Sequence, residues 1–365
     1  MAKIKPNSET LFPILNAVPT GLARLAAEAA HTADGHLIEF KAIKSRSILN
    51  RSISKRRLSI AWSINPYRGC EFACRYCFAR YTHEFLEPGP LGSSDGDPDA
   101  IQPWATAFER HIFLKQNAAW LLEQELRKLD RTDPLGEIVI GTATDPYQPI
   151  ERTARITRSL LEVLARRSGR RLGIITKSTL IARDIDLLTE IARRNTLVLH
   201  ITVTTPDARL ARILEPRAPR PDLRLATVRR LREAGLITGI LCSPLLPGIT
   251  DTAEAIDRMA AHAAKADASF FAANPLYLKS CSRPTFQSFV REHYPHLAVE
   301  YAERFAQRAF AEKPYQERLQ ALVQESCQRH RVGERSGEVM ILRAVGENKK
   351  PPTGIGIPIQ TKLFG

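Results

Sequence analysis

The chain is 365 residues long, 44% hydrophobic and 25% charged. That balance is a globular protein's and not that of a disordered or fibrous chain, and it allows one large α/β domain with appendages or two ordinary domains. No apolar run reaches the length of a membrane span, and the N-terminus lacks a signal peptide's apolar core and small-residue cleavage site, so neither a membrane protein nor a secreted one is expected.

In chain order, residues 1–35 show little beyond a short helical run, GLARLAAEAAHTA. Residues 44–57, KSRSILNRSISKRR, carry six basic residues and no acid: a solvated loop, or a stripe that meets phosphates. LSIAWSI then predicts a strand running into a cysteine-rich loop, and EPGPLGSSDGDPD a connection. HIFLKQNAAWLLEQELRKL predicts a helix. From there apolar strands alternate with helices. EIVIGTATD precedes the helix TARITRSLLEVLARRS, and RLGIITKST precedes RDIDLLTEIARRN. LVLHITVTT precedes DLRLATVRRLREAG, which Gly235 closes. LITGILCSPLLPG precedes TAEAIDRMAAHAAKA, and ASFFAANPLYL is the sixth strand. FQSFVREHYP, AVEYAERFAQRAF and YQERLQALVQESCQRH predict a helical C-terminal region, followed by a Pro/Gly-rich tail.

Strands with continuous apolar runs, each followed by a helix, imply a parallel sheet with right-handed crossovers. Six units fall short of a closed eight-unit barrel. The expected fold class is therefore α/β, a partial (β/α)6 barrel with parallel strands, an N-terminal extension and a C-terminal helical cap. The boundaries read from the pattern are 1–58 for the extension, 59–284 for the barrel, 285–345 for the helical region and 346–365 for an extended tail. Polar residues gather where strands end, at Thr144–Asp145, Thr176–Lys177, Thr202–Thr205, Cys242–Ser243 and Asn274. In parallel α/β folds the carboxyl ends of strands carry the chemistry, although each such residue alone could be a helix cap.

The stretch NPYRGCEFACRYCFARYTHEF, residues 65–85, crowds Cys70, Cys74 and Cys77 together, and the next cysteine is Cys242. In a reducing compartment six cysteines argue for metal binding or catalysis and not for disulfides. Three thiolates on one loop could hold a 4Fe-4S cluster with one iron left open to another ligand. They could equally hold zinc as Cys3His, with His83 as the fourth ligand. A redox pair fits poorly, because it has no need of Cys70.

The run Cys70-Glu71-Phe72-Ala73-Cys74-Arg75-Tyr76-Cys77 resembles C-x3-C-x-aromatic-C, the hallmark of the radical S-adenosylmethionine (SAM) enzymes, placed after the first strand of a six-unit βα barrel. Within that superfamily NPYRGC, GTATDPYQPIE and the order TKS, TTPD, EPR and PLLPGITD resemble the branch of spore photoproduct lyase and related "DNA repair photolyase" proteins. The closer resemblance covers roughly residues 45–285. It implies that Cys70, Cys74 and Cys77 hold a 4Fe-4S cluster whose open iron is chelated by SAM. One electron would then cleave the sulfonium to methionine and a 5′-deoxyadenosyl radical that takes hydrogen from substrate. It implies Tyr76 near the adenine, Thr144 or Asp145 at the SAM amino group, Lys177 at its carboxylate, and Thr202 and Glu215 at the ribose or amino group. A one-electron donor such as flavodoxin or ferredoxin is implied as partner.

The relative uses an extra cysteine between its cluster loop and the following strands to return hydrogen to the product radical. Residues 78–241 here contain none, which puts the thymine-dimer reaction itself in doubt. Cys242 is the candidate hydrogen donor, and Cys281 could also face the barrel mouth; the alternative for both is packing, as for Cys327. Tyr67, Tyr147 and Tyr277 are further redox-capable residues that would by default be core or rim. Gln360-Thr361-Lys362-Leu363-Phe364 resembles a bacterial sliding-clamp-binding peptide, or is a tail that docks on its own domain.

Fifty-three Lys and Arg against 39 Asp and Glu leave a net charge of +14. Either the surplus meets a polyanionic partner, DNA or RNA first among them, or it is spread over solvated faces. With the run Arg166–Arg171 and the stripe at 44–57, the leading expectation is a radical SAM enzyme acting on a nucleic-acid base in repair or modification. The rivals are a radical SAM enzyme acting on a peptide or small molecule, and a zinc-stapled nucleic-acid-binding adaptor recruited to the sliding clamp.

Overall fold

Residues 38–51, 60–84, 101, 103–310 and 312–334 are described by the structure, a computed structural model. Among these described residues ten strands run in chain order: β1 (Glu39–Ile43), β2 (Leu49–Arg51), β3 (Ile60–Ile64), β4 (Tyr67–Arg68), β5 (His111–Lys115), β6 (Glu137–Ile140), β7 (Arg171–Thr176), β8 (Thr196–Thr202), β9 (Ile237–Leu245) and β10 (Phe271–Pro275). The larger sheet has the order β10-β9-β8-β7-β6-β3-β2. Its pairs from β3 through β10 are all parallel, and only the edge strand β2 is antiparallel. Neighbours in space are neighbours among these strands in sequence, so every crossover carries a helix back over the sheet. β6 and β8 are buried along their whole length, the signature of strands covered on both faces.

The sequence-based reading of the six parallel strands holds in type and order; three other segments differ. HIFLK, expected as the start of a helix, is β5. Ile112 and Leu114 are buried at period two, and β5 pairs with β1 and β4 in a separate three-stranded sheet. The helix begins only at Ala118 and runs to Thr132. The expected helix over 153–168 is two, Glu151–Ala154 and Ile156–Ala165, separated at Arg155, whose φ is +50°. Glu151 explains the break: its carboxylate turns back to accept the N–H of Thr157 (2.9 Å) and of Arg158 (3.2 Å), capping the second helix. Finally, the helix Ala208–Leu214 lies where no helix was expected, between β8 and the helix Pro221–Glu233.

The flanks are not separate from the sheet. β2, in the expected N-terminal extension, pairs with β3, and Glu125 accepts the N–H groups of Ile48 and Leu49. At the other end the helix Lys313–His330 packs against the helix Ala253–Lys265 and β10, and Phe271 N–H donates to Gly333 at 2.7 Å. Of the stripe at 44–57, Lys44, Arg46 and Arg51 are exposed, and residues 52–57 lie outside the described residues, as do the tail and Gln360–Phe364. The basic run 166–171 is partly internal: Arg170 is buried and pairs with Asp130. Among the described residues, no helix is long and apolar enough to cross a membrane.

Candidate active site

The cysteine loop follows β4 and is tied down at nearly every residue. Gly69 turns it with φ +80°, and a Cβ there would meet the His111 carbonyl at 2.5 Å, so only glycine fits. Cys70 N–H donates to Phe108 at 2.9 Å, and Gln148 bridges the backbone of Glu71 and Gly69. The buried Glu71 carboxylate accepts the N–H of Ile150 at 2.8 Å; burial raises its pKa to about 7. Arg80, itself buried, donates to the carbonyls of Ala105 and Cys74 and pairs with Glu109. Ser282 donates to the Cys77 carbonyl at 2.6 Å. Residues 105–111, 148–150 and Ser282, with Arg80, therefore set the position of three thiols.

Cys70, Cys74, Cys77 and Tyr76 line one cavity together with the carboxyl ends of the strands: Thr144 and Asp145 after β6, Lys177 after β7, Thr202 on β8, Ser243 on β9 and Asn274 on β10. Most of the expected site residues are thus brought together from successive strand ends and one loop. Burial pushes the Cys70 thiol far up, the Cys74 thiol to about 12 and the Cys77 thiol up. Such thiols keep their protons at neutral pH until a metal displaces them.

The polar wall opposite is organised by two carboxylates. Asp145 accepts the Thr176 hydroxyl (2.6 Å), the Lys177 N–H (2.7 Å) and the Tyr147 N–H (2.9 Å), so it also ties the end of β6 to the end of β7. Burial raises its pKa. Glu215 accepts the hydroxyls of Tyr76 and Thr204, the latter at 2.7 Å, and pairs with Arg224 at 2.6 Å; Lys177 Nζ stands 4.0 Å away. Burial alone would raise the Glu215 pKa, but Arg224 and Lys177 outweigh it and hold it at about 2. Burial likewise opposes the charge on Lys177, and Cys74 and Glu215 more than offset it.

Several expected residues sit elsewhere. Glu215 is fully buried behind the wall and does not line the cavity; it holds Tyr76 from behind. Cys242 is also off the cavity. Leu241 and Ser243 line it, and alternation along β9 turns the sulfur between them into the core, where it donates to the Thr204 carbonyl at 3.4 Å. This places the candidate hydrogen donor outside the lining of the cavity that the three cysteines share. Cys281 abuts the cysteine loop, its sulfur 3.5 Å from the Phe78 carbonyl, and Cys327 packs in the core. Tyr277 lines the cavity and stacks on Phe310 at 4.2 Å. Tyr67 and Tyr147 are buried outside it, Tyr67 donating to Glu151. His83 is buried between Phe108 and Phe113 with Nε2 3.0 Å from the His111 carbonyl, off the cavity that the thiols share.

That placement removes the fourth ligand of the zinc reading. Among the described residues, no three His, Cys, Asp or Glu side chains converge tightly enough to hold a single ion. The three cysteines line one cavity together. Arg224 was not anticipated. Its signal is in the sequence: Pro221, Arg224, Thr227, Val228 and Leu231 are the buried face of one helix, and a cation in such a stripe needs an anion opposite it.

A family model described as the Radical SAM superfamily matches residues 64–261. An uncharacterized protein of Mycobacterium tuberculosis is 31% identical over 330 residues, 90% of this chain and 88% of the relative. One from Methanocaldococcus jannaschii is 27% identical over 232 residues, 64% of this chain and 76% of its own. Among solved structures, a tyrosine-to-phenylalanine variant of spore photoproduct lyase superposes with a TM-score of 0.59 over 81% of each chain at 13% identity. Another variant of that enzyme, with bound AdoMet and dinucleoside spore photoproduct, gives 0.57 over 80% of this chain and 79% of that one at 12% identity. At these identities the likeness to the lyase is one of fold.

Proposed function

The chain belongs to the radical SAM superfamily, a membership that makes it an enzyme using SAM and an iron–sulfur cluster, and from that premise we propose that Cys70, Cys74 and Cys77 hold a 4Fe-4S cluster at the mouth of an open (β/α)6 barrel. The observation that carries the reading is the single cavity lined at once by three thiols, an ammonium and the hydroxyls of successive strand ends. Such a cluster, when bound, supplies the one-electron reductive cleavage of SAM to methionine and a 5′-deoxyadenosyl radical.

The chain's own residues bind, orient and shield. Lys177 offers a point charge to the SAM carboxylate. Thr144 and Asp145 stand at the next strand end for the amino group, although the oxygens of Asp145 already hold three donors. Tyr76, fixed by its bond to Glu215, presents a rigid ring for the adenine, and Thr202 a hydroxyl for the ribose. Phe72, Ile175, Leu241 and Leu276 complete the lining and keep water from the reacting space.

The substrate we propose is a nucleic-acid base, undergoing repair or modification. The net charge of +14 supports this reading, as does the fold shared with an enzyme whose bound ligand is a dinucleoside photoproduct. Anaerobic reconstitution with iron and sulfide, followed by electron paramagnetic resonance of the reduced protein, tests the centre. The expected result is a 4Fe-4S signal that shifts on adding SAM and is lost in Cys70→Ala. A protein that binds no cluster, or a signal indifferent to SAM, would overturn it.

A further inference from the structure

Arg224 has no part in the reading so far, yet it is 1% exposed on the helix Pro221–Glu233, behind the cavity wall. Its guanidinium is clamped: Nε donates to the Pro219 carbonyl at 2.6 Å, Nη1 to the Thr202 carbonyl at 3.2 Å, and Nη1 also meets Glu215 Oε2 at 2.6 Å. The other carboxylate oxygen of Glu215, Oε1, accepts the hydroxyls of Tyr76 and Thr204. Lys177 Nζ stands 4.0 Å from that oxygen, well beyond a charge-assisted hydrogen bond. A buried guanidinium and a partly exposed ammonium therefore face one carboxylate, and the nearer one, Arg224, is paired with it.

We propose that Arg224 is a positioning residue for Lys177: by holding Glu215, it keeps the carboxylate from closing on the ammonium, which stays at the cavity wall to meet the carboxylate of SAM. This rests on the reading that Lys177 meets that carboxylate. Cys74 also faces Lys177 but is committed to the cluster in that reading, and the remaining groups do not compete for the ammonium as Glu215 would. Asp145 is already engaged by the Thr176 hydroxyl and by the N–H groups of Lys177 and Tyr147, and the Tyr76 ring lies 5.7 Å from Nζ. An ion pair this buried gains little stability over an apolar pair, so a charge on the buried face of this helix, among Pro221, Thr227, Val228 and Leu231, calls for another reason. Occupying the Glu215 carboxylate supplies one.

The test compares SAM with decarboxylated SAM, which lacks the carboxylate, by isothermal titration of the anaerobically reconstituted holoprotein. Wild-type protein is expected to prefer SAM. In Arg224→Gln, Glu215 draws Lys177 in and the preference falls about tenfold, the worth of one charge-assisted hydrogen bond. Arg224→Lys, which keeps the charge but loses the planar fork, should lose about threefold. The double variant Arg224→Gln/Glu215→Gln removes captor and guard together and should regain the preference, a recovery that a merely structural role would not produce. Undiminished preference in either folded single variant, or no recovery in the double, overturns the role of Arg224. If Lys177→Met leaves the preference of the otherwise wild-type protein unchanged, the assignment of Lys177 itself fails, and that result is separable from the others.

Discussion

Glu215 is the residue on which the polar wall depends. One carboxylate, 1% exposed, answers a buried guanidinium, a partly exposed ammonium and two hydroxyls. Removing its charge in Glu215→Gln leaves Arg224 and Lys177 uncompensated, and a loss of about 3–5 kcal/mol in urea unfolding is expected. The pH dependence has a definite sign. The folded pKa, about 2, lies below the ordinary 4.5, so the contribution is full above pH 4.5 and is lost as pH falls toward 2. The stability gap between wild type and Glu215→Gln should therefore shrink across that window by about 3 kcal/mol; a gap that does not change with pH would show that the carboxylate is not held as described. From sequence Glu215 was named through the resemblance but its layer was not legible, because no spacing rule says whether a carboxylate at the end of a helix, here Ala208–Leu214, faces the cavity or stands behind it.

Among elements, the cysteine loop and β5 teach opposite lessons. The loop announces itself in three cysteines, but its shape depends on Gly69, on the left-handed Ala73 and on bonds from distant segments. Gly69→Ala combines a φ of +80° with a Cβ 2.5 Å from the His111 carbonyl, so a loss of at least ~2 kcal/mol is expected, with iron per chain falling sharply after reconstitution. Full iron loading in that variant would show that the loop tolerates a different turn. β5 was hidden because HIFLK runs straight into a strong helical pattern, and the alternation of Ile112 and Leu114 is too short to outvote it. Its partners β1 and β4 decided the matter. The break at Arg155 was hidden for a similar reason: the capping carboxylate of Glu151 acts locally, without a glycine or proline to mark it.

For the molecule as a whole, the C-terminal helix Lys313–His330 is part of the core assembly. Leu319 and Cys327 are buried, and Tyr315 donates to Asp251 at 2.9 Å, pinning the loop that follows β9. A chain stopped at residue 311 would bare the helix Ala253–Lys265 and the edge strand β10, and a loss of cooperative thermal unfolding is expected by calorimetry. The surplus of positive charge also makes a prediction at this scale. Binding to a single-stranded oligonucleotide through four phosphates should weaken about 50-fold between 50 and 200 mM salt. Affinity that does not respond to salt would remove nucleic acid as the substrate.

The sequence by itself determined the chemistry's opening and its frame: three thiols at C-x3-C-x2-C spacing, six parallel strands in order, and polar residues at their carboxyl ends. These are local signals, written in spacing and in apolar runs. Tertiary structure alone decided which of those residues meet. It turned Cys242 into the core, set His83 apart from the thiols and put Arg224 behind Glu215. The reason is physical: alternation along a strand and burial of a charge are settled by what packs on each face, and that partner lies tens of residues away in the chain.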